Sequence, residues 1–156
     1  MKKFIFLLII SKSFLFAQYS ILFNEIKLGE INSFDTLEKD YIKIKVTNPI
    51  AKFMLGKKEL IYFNSSFKQD KTSTIYYKKD KYEIINVLKG AISNELEDKK
   101  IFFNKKSYLD IKYDKNYKFS YFSKGRVKTS GEIDIFQNEL ISLNDTINKV
   151  QIIKNN

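Results

Sequence analysis

Apolar and polar residues alternate along most of the chain, and the alternation predicts strands rather than helices. In DYIKIKVT, Ile42, Ile44 and Val46 fall on one face and Tyr41, Lys43 and Lys45 on the other. That period of two is the mark of a half-buried antiparallel strand. STIYYKKDKYEIINVL predicts two strands, Thr74–Tyr77 and Tyr82–Leu88, around a turn near Asp80. KNYKFSYFSKGRVKTSGEIDIF predicts a hairpin whose first strand puts Tyr117, Phe119 and Tyr121 on one face, with Gly125 where the turn needs a positive φ. TINKVQIIK supplies a final strand, and shorter strands are expected near Leu60–Phe63, Ile92–Leu96, Ile101–Phe103 and Tyr108–Tyr113. NEIKLGE is expected to be a strand end running into a turn at Gly29, with a meander continuing into YIKIKV.

One stretch breaks the alternation. In TNPIAKFMLGKK, Asn48 can cap a helix, Pro49 fits its first position and Gly56 its C-terminal cap. Ile50, Phe53 and Met54 then share one side of a two-turn helix. The alternative is an irregular connection. No Pro/Gly linker, fixed-period repeat or low-complexity tract divides the chain. About ten short strands and one helix predict an all-β fold: a single curled antiparallel sheet, as a half-barrel or flattened barrel, with one short helix.

The first residues, MKKFIFLLIISKSFLFA, have a different character. Lys2 and Lys3 precede the apolar run Phe4–Ile10, and Ala17 offers the small residue a signal peptidase needs before Gln18. The run is shorter than the ~20 residues of a membrane-spanning helix. Residues 1–17 therefore read as a signal peptide and residues 18–156 as a single all-β domain, exported to the periplasm. The competing reading, a buried N-terminal strand, leaves KKFIFLLII hard to keep in water outside a core.

Composition narrows the chemistry. The chain has no cysteine and no histidine, so it has no disulfide framework, no thiol nucleophile, and neither the commonest metal ligand nor the commonest general base. A disulfide-free exported domain leans toward a bacterial envelope. The net charge of +10 invites a nucleic-acid reading, but Arg126 is the only arginine among 28 basic residues. Phosphate and base-edge recognition favours the arginine fork. The lysines read as solvation, and no nucleic-acid partner is expected.

Candidate catalytic motifs fail on context. SSFK, Ser65–Lys68, has the S-x-x-K form of serine acyltransferases, and KTS, Lys71–Ser73, echoes their K-T-G strand. Those enzymes open a helix with the serine and place the second motif far downstream, whereas here the two are adjacent in a turn-rich segment. Glu95, Glu97 and Asp98 in NELEDKK lack the alternating spacing of a calcium loop and read as a solvated hairpin tip. Asp110 and Asp114 read as strand-exit residues. No catalytic residue, metal or cofactor is assigned, and the protein is not expected to be an enzyme. Aromatics are the enriched feature, with 14 Phe and 10 Tyr and no Trp. They either fill the core or line an apolar cavity.

YSILFNEIKLGEI resembles the opening of a family of uncharacterised exported bacterial all-β proteins. The matching positions are Tyr19, Ile21, Leu28, Gly29 and Glu30, and AKFMLGKKELIYFN, Ala51–Asn64, resembles that family's second segment. The resemblance implies a half-barrel similar to the lipoprotein-carrier fold, in the envelope, and implies no activity.

The expected function is a periplasmic, non-enzymatic envelope protein that binds an apolar or amphipathic ligand, such as a lipid, on the curled sheet. Ile42, Ile44 and Val46, with Phe119 and Tyr121, are the expected lining. The alternative is a protein–protein interaction module that docks an envelope partner and has a filled core. A small outer-membrane barrel fits the length but would place lysines at mid-bilayer depth. Export predicts a periplasmic protein whose intact mass starts at or near Gln18; a mass that retains Met1–Ala17 would contradict it.

Overall fold

The computed structural model describes residues 18–69 and 74–156. The expected leader through Ala17 and the Lys71–Ser73 stretch lie outside them. One curled, unclosed sheet contains eleven strands: β1 (Tyr19–Phe23), β2 (Ile26–Ile31), β3 (Tyr41–Val46), β4 (Glu59–Phe63), β5 (Ile75–Lys79), β6 (Lys99–Asn104), β7 (Ser107–Asp114), β8 (Asn116–Ser123), β9 (Arg126–Phe136), β10 (Glu139–Asp145) and β11 (Val150–Lys154). The spatial order is β5-β4-β3-β2-β1-β11-β10-β9-β8-β7-β6. Two meanders thus meet at a central β1–β11 seam, where Tyr19 faces Lys154 and Phe23 faces Val150. The all-β curled sheet agrees with the sequence pattern.

The alternation in YIKIKV is kept: Ile42, Ile44 and Val46 are buried and Lys43 and Lys45 exposed. Tight turns join the strands. Asn24-Glu25, Lys124-Gly125 and Gln137-Asn138 each place two successive residues at positive φ, the geometry whose twist matches a two-residue hairpin. The expected β8–β9 hairpin forms about Gly125, and Tyr117, Phe119 and Tyr121 share its inner face. Helix α1 (Pro49–Leu55) also forms as expected, with Asn48 Oδ1 accepting from Ile50 N at 2.9 Å and Ala51 N at 3.1 Å, and Gly56 closing it.

Four expectations need correction. Tyr82–Leu88 and Ile92–Leu96 are not strands: helix α2 (Ile84–Ile92) replaces the first, and its last residue with the turn that follows replaces the second. Ile85, Leu88 and Ala91 repeat at helical spacing and are fully buried, so tertiary burial overrides the β-branched preference of EIINV. Second, Gly29 is no turn residue. It sits inside β2 against β3, where a Cβ would come within 2.5 Å of Lys45 O; the turn is Asn24-Glu25. Third, the sheet is not wholly antiparallel, because β5 runs parallel to β4 at the edge. Fourth, NELEDKK is no hairpin tip: it links α2 to β6, and Asp98 Oδ1 accepts from Tyr113 N at 2.6 Å.

The edge strands β5 and β6 are consecutive in the chain, and α2 is the link between them. It carries the chain across the hollow of the curled sheet. There its side chains join Tyr19, Ile31, Ile42, Ile44, Leu109, Ile111, Phe119, Ile133, Leu143 and Ile152 in one core. On the outer face a smaller cluster of rings, Tyr41, Phe63, Phe67 and Tyr77, covers the β3–β5 edge.

The two faces of β3 should respond differently to mutation. Ile44→Lys buries an unpaired charge and should cost about 3–5 kcal/mol. Lys43→Ile loses only an exposed pair with Glu59 at 3.0 Å and should stay within about 1 kcal/mol of the parent. Urea unfolding of the two variants checks the assignment; equal losses would refute it.

Candidate functional site

Among the described residues the concave face carries the main apolar cluster of the sheet, and the period of two decides which side chains reach it. Ile42 stands opposite Tyr62, Ile44 opposite Leu60, and Tyr117 opposite Ile133, so each pair shares the inner face. All five residues expected to line an apolar site lie on the inner side of their strands. Ile42, Ile44 and Phe119 are buried in the same cluster as α2. Val46 is buried at the end of β3. Tyr121 is half-buried, its ring centroid 5.6 Å from Tyr82 and 5.8 Å from Phe103.

Helix α2 lies over this surface, and polar contacts fix both of its ends. Asp80, buried after β5, accepts from Tyr62 Oη at 2.8 Å, Tyr82 N at 2.9 Å and Ile85 N at 2.8 Å. One carboxylate therefore binds strand β4 to the first turn of α2, whose early N–H groups need acceptors. At the other end Asn94 Oδ1 accepts from Tyr117 Oη at 3.1 Å, and Gly90 O accepts from Glu95 N and Leu96 N. Midway, Lys89 Nζ donates to Asp40 Oδ1 at 2.8 Å. The Lys89 hydrogen bond, together with one from Ser66, holds the Asp40 carboxyl below the usual carboxylate range.

Burial, with the adjacent Asp80 charge, pushes the Tyr62 hydroxyl far above its ordinary value. Burial likewise raises Tyr19, with Glu139 adding to it, and raises Tyr117 beside Tyr113. Tyr62 and Tyr117 thus stand as neutral donors to Asp80 and Asn94. A second buried carboxylate, Asp145, serves the β10–β11 turn: its Oδ1 accepts from Ile147 N at 3.0 Å and Asn148 N at 2.9 Å, while Thr129 Oγ1 donates to its Oδ2.

Beside α2 the inner surface opens into a cleft of about 850 Å³ between its C-terminal half, the 3-10 helix Asp35–Lys39 and the β9–β10 turn. Tyr19, Phe34, Leu37, Ile92 and Leu140 give it an apolar floor, and Glu38, Glu95 and Glu139 stand at its rim with Lys89. Tyr19 and Phe34 meet edge-on, ring centroids 4.7 Å apart. Among the described residues no three of His, Cys, Asp and Glu come together to hold a metal ion. Ser65 and Ser66 lie exposed after β4, and Ser66 bonds to Asp40 and Asn64 rather than to a lysine.

Sequence reasoning missed α2, Asp80 and Tyr62. The helical spacing of Ile85, Leu88 and Ala91, continued by Ile92, was the available signal for α2; nothing local marks Asp80 or Tyr62, which are 18 residues apart. No family model, curated protein or solved structure matches the chain. The family resemblance drawn from Tyr19–Glu30 therefore rests on the spacing of those residues alone.

The Tyr62 pair has a pH signature. A folded-state pKa above the unfolded value gives stability that is full below the unfolded pKa of about 10 and declines as pH rises past it. Tyr62→Phe should lower stability at neutral pH by about 1–2 kcal/mol, because buried Asp80 loses a donor. The same variant should show a shallower alkaline decline, with Tyr19 and Tyr117 supplying what remains. Denaturant titrations from neutral to alkaline pH measure both effects; an unchanged alkaline slope would contradict the assignment.

Proposed function

We propose that this is a non-catalytic, exported envelope protein that holds a long apolar chain between helix α2 and the concave face of its sheet. One observation carries the reading: an apolar face built by most of the strands is covered by a single nine-residue helix, whose two flanking links lead to the two unpaired edges of the sheet. A cover joined in this way can lift without breaking a ladder of the sheet. Besides its apolar burial, the contacts it would give up are a few hydrogen bonds and one part-exposed ion pair, Lys89–Asp40.

Magnitudes set the ligand class. Ile85, Val87 and Leu88 are buried, and burial of such side chains contributes roughly 2 kcal/mol each, about 6 kcal/mol together. A ligand that displaces them must bury comparable apolar area. At about 0.8 kcal/mol per methylene, roughly eight to ten carbons offset the helix. Glu38, Glu95 and Glu139 at the cleft rim oppose an anionic headgroup, so a long-chain amphiphile with an uncharged head fits best.

A second reading is favoured by the complete burial of Ile85 and Leu88, each 0% exposed, which suits a permanently filled core. The protein would then be an interaction module for an envelope partner.

Uptake of fluorescent acyl probes distinguishes the two. Long-chain uncharged esters should bind, six-carbon esters should not, and long-chain carboxylates should bind more weakly. The chain has no native cysteine, so Asp40→Cys/Lys89→Cys joined by a short bis-maleimide should tie α2 down and abolish uptake, while Lys89→Ala keeps it. Absence of any uptake, with no lipid copurifying, would overturn the carrier reading in favour of the interaction module.

A further inference from the structure

The register of the strands sorts the connections into two ends. The β1–β2, β6–β7, β8–β9 and β10–β11 turns and the α1 connection lie at one end; the 3-10 helix, both links of α2, the β7–β8 and β9–β10 turns and residue 18 lie at the other. β5 runs parallel to β4, so Asn64 leaves β4 at the second end and Ile75 starts β5 at the first. Among the described residues, connections at the α1 end carry seven lysines against one acid, Glu25. Those at the opposite end carry eight acids against three lysines. Charge is therefore polarised along the strands, although the total composition shows only an excess of lysine.

The basic end is also where large apolar side chains stand in solvent. On α1, Ile50, Phe53 and Met54 are 70%, 89% and 79% exposed, and no α1 residue is buried. The helix is nevertheless well made: Asn48 caps it, and the cap is itself tied to β2 through Thr47 N and Asn48 N on Leu28 O and Asn48 Nδ2 on Lys27 O. Ile26 at the start of β2 and Ile147 in the β10–β11 turn are exposed at the same end, and Asn24 N donates to Lys149 O between the β1–β2 and β10–β11 turns. A capped helix that leaves Ile50, Phe53 and Met54 in water is costly unless something else covers them.

We infer that this end docks on an anionic lipid bilayer, with Phe53 and Met54 entering the interface and the exposed Lys52 and Lys58 meeting the headgroups. Two features select a bilayer over a folded partner. Ile50, Phe53 and Met54 form one narrow ridge on the short helix α1, and Ile26 and Ile147 stand apart on other connections with lysines between, so the apolar side chains protrude rather than line a groove. A fluid interface accommodates isolated protrusions without a matching shape, and pairs apolar depth with negative surface charge. The acid-rich opposite end is repelled by the same surface, so the charge distribution also sets the orientation, holding the α2 cleft away from the membrane. This inference is independent of ligand uptake and stands or falls separately.

Flotation of the mature chain with vesicles tests it. The protein should float with phosphatidylcholine vesicles that contain phosphatidylglycerol, much less with phosphatidylcholine alone, and less as salt rises. F53S/M54S, at exposed positions, should keep the parent circular dichroism and bind about tenfold or more weakly. Lys52→Glu/Lys58→Glu should abolish binding, and Glu95→Lys/Glu97→Lys should leave it intact. The chain lacks tryptophan, so Phe53→Trp gives a single reporter whose emission should shift to the blue on anionic vesicles. No flotation, or flotation with no Phe53→Trp shift and full binding by F53S/M54S, would overturn the proposal. So would a dimer that F53S/M54S converts to monomer, since a second copy would then be the occupant.

Discussion

A sheet that buries one face must close on itself, stack on a second layer or find a cover. Eleven strands here curl without closing, and the structure depends on how the resulting hollow is filled. The filling comes from the chain's own passage between the two edge strands. Because β5 and β6 are neighbours in sequence and farthest apart in the sheet, the link between them must cross the concave side or go round the outside. Crossing buries Ile85, Leu88 and Ala91 against side chains from both meanders, and the topology and the core are thereby one feature.

Polar groups decide where that link starts and stops. Asp80 is buried at 6% exposure with three donors on its two oxygens, so it is a satisfied acceptor and not a stranded charge. Its partners come from β4 and from the beginning of α2, which fixes the helix in rotation as well as position. Asp40 does the same less rigidly through Lys89. The contrast between one deeply buried anchor and one half-exposed pair makes the N-terminal end of α2 the firm end and its C-terminal half the one that borders open solvent in the cleft.

Much of the sheet was legible because strand periodicity is local: YIKIKV and KFSYF name their own inner faces. Helix α1 was legible for the same reason, since Asn48, Pro49 and Gly56 are local stop and start signals. The helix α2 was not, because DKYEIINVL has the β-branched residues of a strand, and only the concave surface, assembled from residues far away in the chain, makes helical spacing the better use of them. Gly29 misled in a related way. A glycine in a polar stretch suggests a turn, whereas its true constraint is the Lys45 carbonyl of β3, 16 positions on. Of the candidate site, the inner-face residues Ile42, Ile44 and Phe119 could be named from pattern, but what covers them could not.

The β1–β11 seam has a consequence for how the chain reaches this state. The first and last strands form the middle of the sheet, so the two meanders have no shared ladder until Val150–Lys154 is available to pair with Tyr19–Phe23. Contacts of such sequence separation are slow to form, because closing the loop comes before any contact rewards it. Without Val150–Lys154 in place the sheet lacks its central pair and the core is unfinished. Completion of the fold is thus timed by the arrival of β11 beside β1, and each meander must wait for the other before the whole locks.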